Sequence, residues 1–586
     1  MLADDTLANV LYIDLTKKSY KVVRRAELFD KYLGGAGVAA QLLLEECPEK
    51  VEACSPENPI IFAVGPLTGL YPLASKTVAM FKSPHTGNLG ESHCGGRSAV
   101  AIRMAGYGAI VIRGASDIPV YLSIHGNQIH FRDASSIWGM HNSITAGRII
   151  REAEPHAGFR TIMRIGGAGE RLVSYACVTT ETYRHFGRLG LGAVFGSKKL
   201  KAVVISGKHS LVMPDMKEYR RVYDEIFESA TSSVIMKKYH DLGTAENVLP
   251  LNQAGGLPTR NLQQARFEGA EKISGEAFAG NYLGRRLACS HCPVGCIHIG
   301  ALREPHPAEP YFYKTSMISY DYEPIYALGS MLGIAEAGGL LKLIDLVEVL
   351  GLDAMSTGVI LAWATEAQER KLVSLKETME VKLSWGDCAS YMEAIRLIVE
   401  QPNAFYRALA RGADHASHIY GGRDFALSFG GNEMPGYHTG PGAYAGILIG
   451  ARHSHLDNAG YSFDQKLAVD NLPEPMDMIS SLLKEEQWRQ VLSSLVICFF
   501  ARGVYPADVT IRALQTAGFN LSSGDLLRIG RDIHANKYKF KLREGFDLDL
   551  QALPKRIFET GTPLGNIDEK YLSDALISFK KLMGFS

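Results

Sequence analysis

A chain of 586 residues, 46% hydrophobic and 21% charged, has the composition of a folded protein and is too long for one core. At roughly 100–200 residues per domain it divides into about three or four. Lys plus Arg equals Asp plus Glu at 62 each, so no global field selects nucleic acid or an acidic membrane. The start, Met1-Leu2-Ala3-Asp4-Asp5, is acidic where a secretory signal is basic, and no stretch reaches the ~18–20 apolar residues of a membrane span. The sequence therefore reads as cytoplasmic.

Residues 1–208 read as β-rich. Val10 to Val23 forms a hairpin about Thr16–Ser19, and Val120 to Phe131 forms another about Gly126-Asn127. Apolar runs at Ile60–Val64, Ala109–Ile112 and Ala202–Ile205 read as buried strands. Gly35-Ala36-Gly37-Val38-Ala39-Ala40 fits a loose dinucleotide fingerprint, but it lacks the preceding strand and the later acid, and NAD binding is rejected. Near Leu211–Asp215 the patterning changes, with Pro214 placed to open a helix. Residues 209–420 read as mainly helical: Leu340, Leu341, Ile344 and Val347 fall at helical spacing, and Gly351 is placed as a left-handed stop. A Gly/Pro-rich stretch, Phe429 to Gly442, marks a second boundary near 420, before a third, mainly helical segment, 421–586. The fold class is α/β (α+β).

Nine cysteines are too few and too scattered for a disulfide framework. Cys47, Cys54, Cys94, Cys177 and Cys388 read as buried free thiols. Cys289, Cys292 and Cys296 form C-x₂-C-x₃-C, with Pro293 and Gly295 bending the chain between them. An iron–sulfur cubane needs a fourth ligand, for which Cys498 among bulky apolar neighbours is the candidate. On spacing alone, zinc held by three thiolates with His291 or His298 stays open.

With its surroundings, that cluster resembles the aldehyde:ferredoxin oxidoreductase family, tungsten enzymes with a bis-pyranopterin cofactor. The resemblance runs from near residue 8 to the end. It is carried by Gly65-Pro66-Leu67-Thr68-Gly69, Lys82-Ser83-Pro84, Gly187 to Val194, Gly196-Ser197-Lys198, Cys292 to Cys296, Tyr322-Glu323, Ala327-Leu328-Gly329, Leu350 to Asp353 and Ser356-Thr357-Gly358. The resemblance implies a β-rich base for two pterins, covered by two largely helical domains. It also implies a 4Fe–4S cluster on Cys289, Cys292, Cys296 and Cys498 beside one pterin.

Pterin phosphates call for cations and closely approaching backbone; the family positions supply Lys76, Arg184 and Arg188, with Gly95 in a glycine-rich loop. The pterin loops, Asp-x-x-Gly-Leu-(Asp or Cys) in the family, read here Glu348 through Gly351, Leu352 and Asp353, and Ser493 through Ile497 and Cys498. Where the family binds a Mg²⁺ that bridges the phosphates, this chain has His93 for Asn and His185 for a small residue, while Asp457 replaces a Lys. The Glu-x-x-His motif of metal-bridged dimers is absent, Lys342 to Asp345 standing in its place, so such a dimer is not expected.

Glu323 and His455 match the family's acid–base pair beside the metal, with Glu323 following a Pro-rich loop (Pro305, Pro307, Pro310). Arg452 and His453 are weaker candidates for an anionic group. The resemblance implies tungsten- or molybdenum-dependent oxidation of aldehydes to carboxylic acids, with ferredoxin or a ferredoxin-like subunit as partner. Aromatic acyl-CoA reduction on the same scaffold is the alternative, and a non-catalytic electron-transfer or zinc-stabilised subunit the second.

Overall fold

Alternating apolar residues pair the first two segments as expected: Asn9–Asp14 (β1) and Ser19–Arg24 (β2) run antiparallel, with Val10 opposite Val23. The computed structural model describes residues 5–154, 159–211, 213–306, 308–467, 471–549, 551 and 553–585; the start Met1 to Asp4, Val212 and Pro307 lie outside them. Ile60–Ala63 (β3), Thr77–Lys82 (β4), Leu89–Cys94 (β5) and Ala109–Arg113 (β6) complete a six-stranded sheet in the order β2-β1-β6-β3-β4-β5, in which β1 and β6 are parallel.

A second six-stranded sheet has the order β11-β10-β9-β12-β7-β8. It contains Val120–His125 (β7), Gln128–Asp133 (β8), Thr161–Arg164 (β9), Val178–Thr179 (β10), His185–Phe186 (β11) and Leu200–Ser206 (β12). The edge strands β5 and β11 lie against each other, so the two sheets bring residues 91–95 and 184–188 to one floor.

The middle of the chain departs from the mainly helical expectation. Leu283–Leu287 (β13), Ile297–His306 (β14) and Glu309–Tyr320 (β15) form an antiparallel sheet. The expected Pro-rich loop is therefore a hairpin, with Pro305 in β14 at a register shift and Pro310 in β15. Proline is tolerated where a ladder is locally broken. Pro214 does not open the next helix: Asp215 caps Met216–Ser232 by accepting from the amides of Lys217 and Glu218. The Ala337–Leu350 helix ends as expected at Gly351, whose φ is 77°. In the Gly/Pro-rich stretch, Ser428–Phe429 (β16) and Asn432–Glu433 (β17) pair around Gly430-Gly431, and Pro441 opens the Pro441–Ile449 helix. Cys47, Cys94 and Cys177 are buried as expected, but Cys54 is exposed and Cys388 half-buried. No single helix among the described residues is long and apolar enough to cross a membrane.

The glycines that mimic a dinucleotide fingerprint serve packing. The Gly35–Glu46 helix starts against the end of the Pro475–Ser494 helix, and a Cβ on Gly35 would overlap the carbonyl of Ser493. A Cβ on Gly65 would sit 2.7 Å from the Ser494 carbonyl oxygen and 2.8 Å from the Leu495 carbonyl carbon. Both obstacles are backbone, so neither can rotate away. Gly65→Ala should therefore cost about 1–3 kcal/mol and lower the midpoint of thermal unfolding. An unchanged midpoint would show that the 493–498 turn does not rest on this loop.

Candidate functional site

Backbone hydrogen bonds gather three distant segments around the cysteine loop. The Cys498 amide donates to the Leu73 carbonyl, the Leu73 amide to His291, the Lys76 amide to Val496, and the Ser290 amide to Gly96. This brings Cys498 to Cys289, Cys292 and Cys296, whose thiols lie within electrostatic reach of one another. Burial, then the neighbouring thiols, pushes Cys292 up to about 12. Among the described residues no three His, Cys, Asp or Glu side chains converge tightly enough to hold a single ion. Gly95 closes over this loop: a Cβ there would sit 2.8 Å from Cys289 Sγ and 3.2 Å from Lys76 Nζ. Burial opposes the charge on the half-buried Lys76, but Cys498 and Cys289 outweigh it and raise its pKa.

Beside the loop lies a cavity of about 350 Å³. Lys76, His93, Gly95, Arg184 and His185 line it from the floor, and Glu348, Leu352 and Asp353 from the Ala337–Leu350 helix and its stop. Glu323, Arg452 and His455 close the far side. Arg184 Nε and Arg188 Nη1 are buried with no hydrogen-bond partner among the described residues. Burial, aided by the Arg452 charge, lowers His93 to about 4 although its Nε2 sits 2.7 Å from Glu91. Burial lowers His185 to about 3 and raises Glu348 well above the carboxylate range. At 4.0 Å these last two face each other as neutral groups, not as an ion pair.

Asp321 is the residue before the Tyr322–Leu328 helix, which places Glu323 in its first turn. Glu323 Oε2 accepts from the Gly436 amide at 3.1 Å, and Oε1 lies 3.2 Å from His455 Nε2. Oε1 and His455 Nδ1 are buried atoms with no hydrogen-bond partner among the described residues. Desolvation pushes Glu323 up to about 8 and drives His455 well below its usual range. Tyr437 stacks on Tyr461 at 4.1 Å between ring centroids and packs on His455 at 5.2 Å, making an aromatic wall around the pair.

Other predicted residues stand behind the cavity. Asp457 turns its oxygens to Arg452 Nε (2.5 Å) and to the amides of Arg452 and Ser454, so it holds Arg452 in place. His453 Nδ1 donates to the Ile447 carbonyl and its Nε2 accepts from the Lys541 amine, away from the lining. Gly351, Ser493 and Ile497 act through turn geometry. Leu352 N donates to Val347 O, and Ile497 N donates to Leu492 O, so the two pterin-loop sequences fold into the same helix-ending turn. Cys94 points to Thr180 at 3.5 Å, and burial pushes its thiol up to about 12.

Sequence reasoning missed Glu91, which faces the cavity on β5 with Lys537 at 2.5 Å, and the wall tyrosines Tyr437 and Tyr461. It also missed Glu433, which binds His85 at 2.7 Å. Nothing in the sequence separates these from ordinary strand or helix residues, because their partners lie tens to hundreds of positions away.

Comparison with known proteins fits this arrangement. Residues 10–207 match the aldehyde ferredoxin oxidoreductase N-terminal domain, and residues 221–586 match its domains 2 and 3. A tungsten-containing aldehyde ferredoxin oxidoreductase of Thermococcus kodakarensis is 32% identical across 95% of this chain and 92% of its own. An aliphatic sulfonate oxidoreductase, WOR-like subunit, of Pyrococcus furiosus is 32% identical across 70% of this chain and 66% of its own. The solved active site complex BamBC of benzoyl coenzyme A reductase superposes with a TM-score of 0.84 at 21% identity, covering 99% of this chain and 95% of that one, a likeness of fold. The chain belongs to the aldehyde ferredoxin oxidoreductase family.

Proposed function

We propose that the chain oxidises aldehydes to carboxylic acids on a tungsten or molybdenum bis-pyranopterin centre and passes electrons through a 4Fe–4S cluster to a ferredoxin or an iron–sulfur subunit. The observation that carries this reading is the Glu323–His455 pair, 3.2 Å apart in a cation-lined cavity that abuts four gathered thiols. Family membership supports the metal and the reaction class. The division at residues 208 and 420 belongs to the same proposal, supported by a cavity lined from all three segments.

The residues present suit the cofactor. Lys76, Arg184, Arg188 and Arg452 supply charge for two phosphates, and the unpartnered Arg184 Nε and Arg188 Nη1 are donors awaiting an acceptor. Cys289, Cys292, Cys296 and Cys498 lie within electrostatic reach of one another, and four thiolates are the ligand set of a cubane. A Mg²⁺ bridging the phosphates fits less well: His93 and His185 offer imidazoles, and Lys537 and His93 already occupy Glu91.

When bound, the metal supplies a two-electron acceptor and polarises the carbonyl oxygen. Ionised Glu323 takes the proton from the attacking water, held toward the cavity by the Gly436 amide. Neutral His455 keeps Nδ1 free to hydrogen-bond the polarised oxygen. Tyr437 and Tyr461 exclude bulk water from the pair.

Anaerobically purified protein should contain about four irons per chain, and Cys498→Ala should lose or degrade the cluster. Stoichiometric zinc with no iron would refute it. Glu323→Gln should lower aldehyde turnover by about 10²–10⁴-fold with iron and tungsten or molybdenum content unchanged; full turnover would show the base misassigned. A carboxyl raised to about 8 is protonated at neutral pH, and a base works ionised. The pH profile of kcat/KM should therefore rise to about pH 8 and level off above it, and this limb should vanish in Glu323→Gln.

A further inference from the structure

The cysteine loop is open on its outer side. Cys289, Cys292, Cys296 and Cys498 are each half-buried, and the chain beside them reaches solvent at Arg285, Arg286, Ala288 and His291, all exposed. β13 carries the two arginines and runs directly into Cys289; it pairs only with β14, so its outer edge faces no strand among the described residues. The last turn of the Val234–Asp241 helix ties this edge to the loop. The Asp241 carbonyl accepts from Arg286 Nη2 at 3.2 Å, and His240 Nδ1 donates to the Val294 carbonyl at 2.6 Å. On the other side, the turn after Cys498 holds Arg502, whose Nη1 donates to the Phe499 carbonyl at 3.0 Å. Phe159, 47% exposed, sets its ring 6.4 Å from that of His291.

Charge on this face is one-sided. Arg285, Arg286 and Arg502 have no carboxylate within ion-pair distance among the described residues; Arg286 and Arg502 spend their hydrogens on carbonyls instead. The acids of the neighbouring helix are already taken, Asp241 by Lys237 and Glu246 by Lys238 at 3.8 Å. The whole chain has 62 Lys and Arg against 62 Asp and Glu, so the excess here is local. Arginines on a free edge strand also keep it from pairing with another sheet. That accounts for Arg285 and Arg286 but not for Arg502, which arrives from a segment more than 200 positions away and stands at the same group of thiols.

We propose that the face formed by Arg285, Arg286, His291 and Arg502 is where a small acidic ferredoxin docks to take electrons from the centre held by the four thiols. Its role in turnover rests on the proposed aldehyde oxidation. An aldehyde and a water give a carboxylate, three protons and two electrons. A ferredoxin that takes one electron must visit twice per turnover, so it has to leave quickly. Fixed cations suit such a partner: they steer an acidic surface into register and speed its encounter without holding it for long. A permanently bound iron–sulfur subunit would instead call for a wide, largely apolar interface. Phe159 supplies one ring as an anchor among the charges.

In Arg285→Glu/Arg286→Glu the KM for an acidic one-electron ferredoxin should rise about tenfold, and its kcat/KM should lose the fall with ionic strength that wild type shows. Aldehyde-dependent reduction of benzyl viologen, a small dye that needs no docking face, should keep the wild-type rate, with iron content and thermal midpoint unchanged. Arg423→Glu, at an exposed arginine elsewhere, should behave as wild type. Calorimetric titration of the resting protein with oxidised ferredoxin reads the contact without turnover, and the double variant should bind about tenfold more weakly. Should charge reversal unfold the edge, Arg285→Gln with Arg286→Gln makes the same comparison with a smaller rise in KM. Unchanged ferredoxin KM and affinity in these variants overturn the assignment, as does an equal loss in Arg423→Glu. An iron–sulfur subunit that stays bound through a high-salt wash overturns the diffusing partner. Wild-type protein that binds ferredoxin through these arginines but reduces neither ferredoxin nor dye with aldehydes refutes the proposed function and leaves the docking face standing.

Discussion

Buried positive charge is the constraint on which the rest of the structure depends. Lys76 and Arg184 are half-buried and Arg452 is buried, and burial opposes the charge on each of them. An isolated ion in such a place costs several kcal/mol, about as much as a domain's whole stability margin. The protein compensates selectively. Arg452 has Asp457 behind it and Arg188 has Asp353, while Lys76 and Arg184 face the thiols of the cysteine loop. A loop of thiolates bearing a cluster, and phosphates in the cavity, would provide the anions that the protein's own side chains leave out. Cofactor loading is thus tied to the stability of the floor on which the two sheets meet.

The same economy explains the two helix-ending turns. In the first, Gly351 adopts φ 77°, which glycine reaches without strain; in the second, Val496 adopts φ 54°, which a β-branched residue reaches only at a cost of about 1–3 kcal/mol. What over-determines Val496 is local: its carbonyl accepts the Lys76 amide, and its side chain packs on Gly35. The Cys498 amide then bonds Leu73. A strained valine is kept because the turn it sits in fixes both the fourth thiol and the buried lysine. The loss of the family's glycine from this loop has changed the residue and kept the geometry.

How much of this was legible in the sequence follows from the range of the interactions. Strands set by local alternation, such as Val10–Val23 and Val120–Phe131, and the helix stop at Gly351 were readable because period and turn chemistry act within a few residues. The β14–β15 hairpin was misread because its prolines signalled a loop, whereas a register shift absorbs Pro305. In the site, Cys289, Cys292 and Cys296 announced themselves by spacing, and Glu323 and His455 by family position. Asp457 shows the limit: position placed it among cofactor contacts, while the structure sets it behind Arg452. Glu91, Glu433 and Tyr437 carried no local signal, since what defines them is a partner across the fold.

The acid–base pair and the loop that ends at Asp353 meet at Arg188. Its Nε donates to Asp353, its Nη2 to the Glu433 carbonyl, and its charge lowers both Glu323 and His455. One guanidinium therefore holds Asp353 in place and tempers the desolvation that raises the base. Without it Glu323 would sit higher still and hold its proton more tightly; with it, the carboxyl stays near the range in which it can both take and give up a proton at working pH. The aromatic wall acts in the opposite sense, excluding the water that would otherwise restore the carboxyl to its ordinary range. With bulk water held off by these rings, Glu323 trades its proton chiefly with groups that line the cavity, and His455 at 3.2 Å is the first of them.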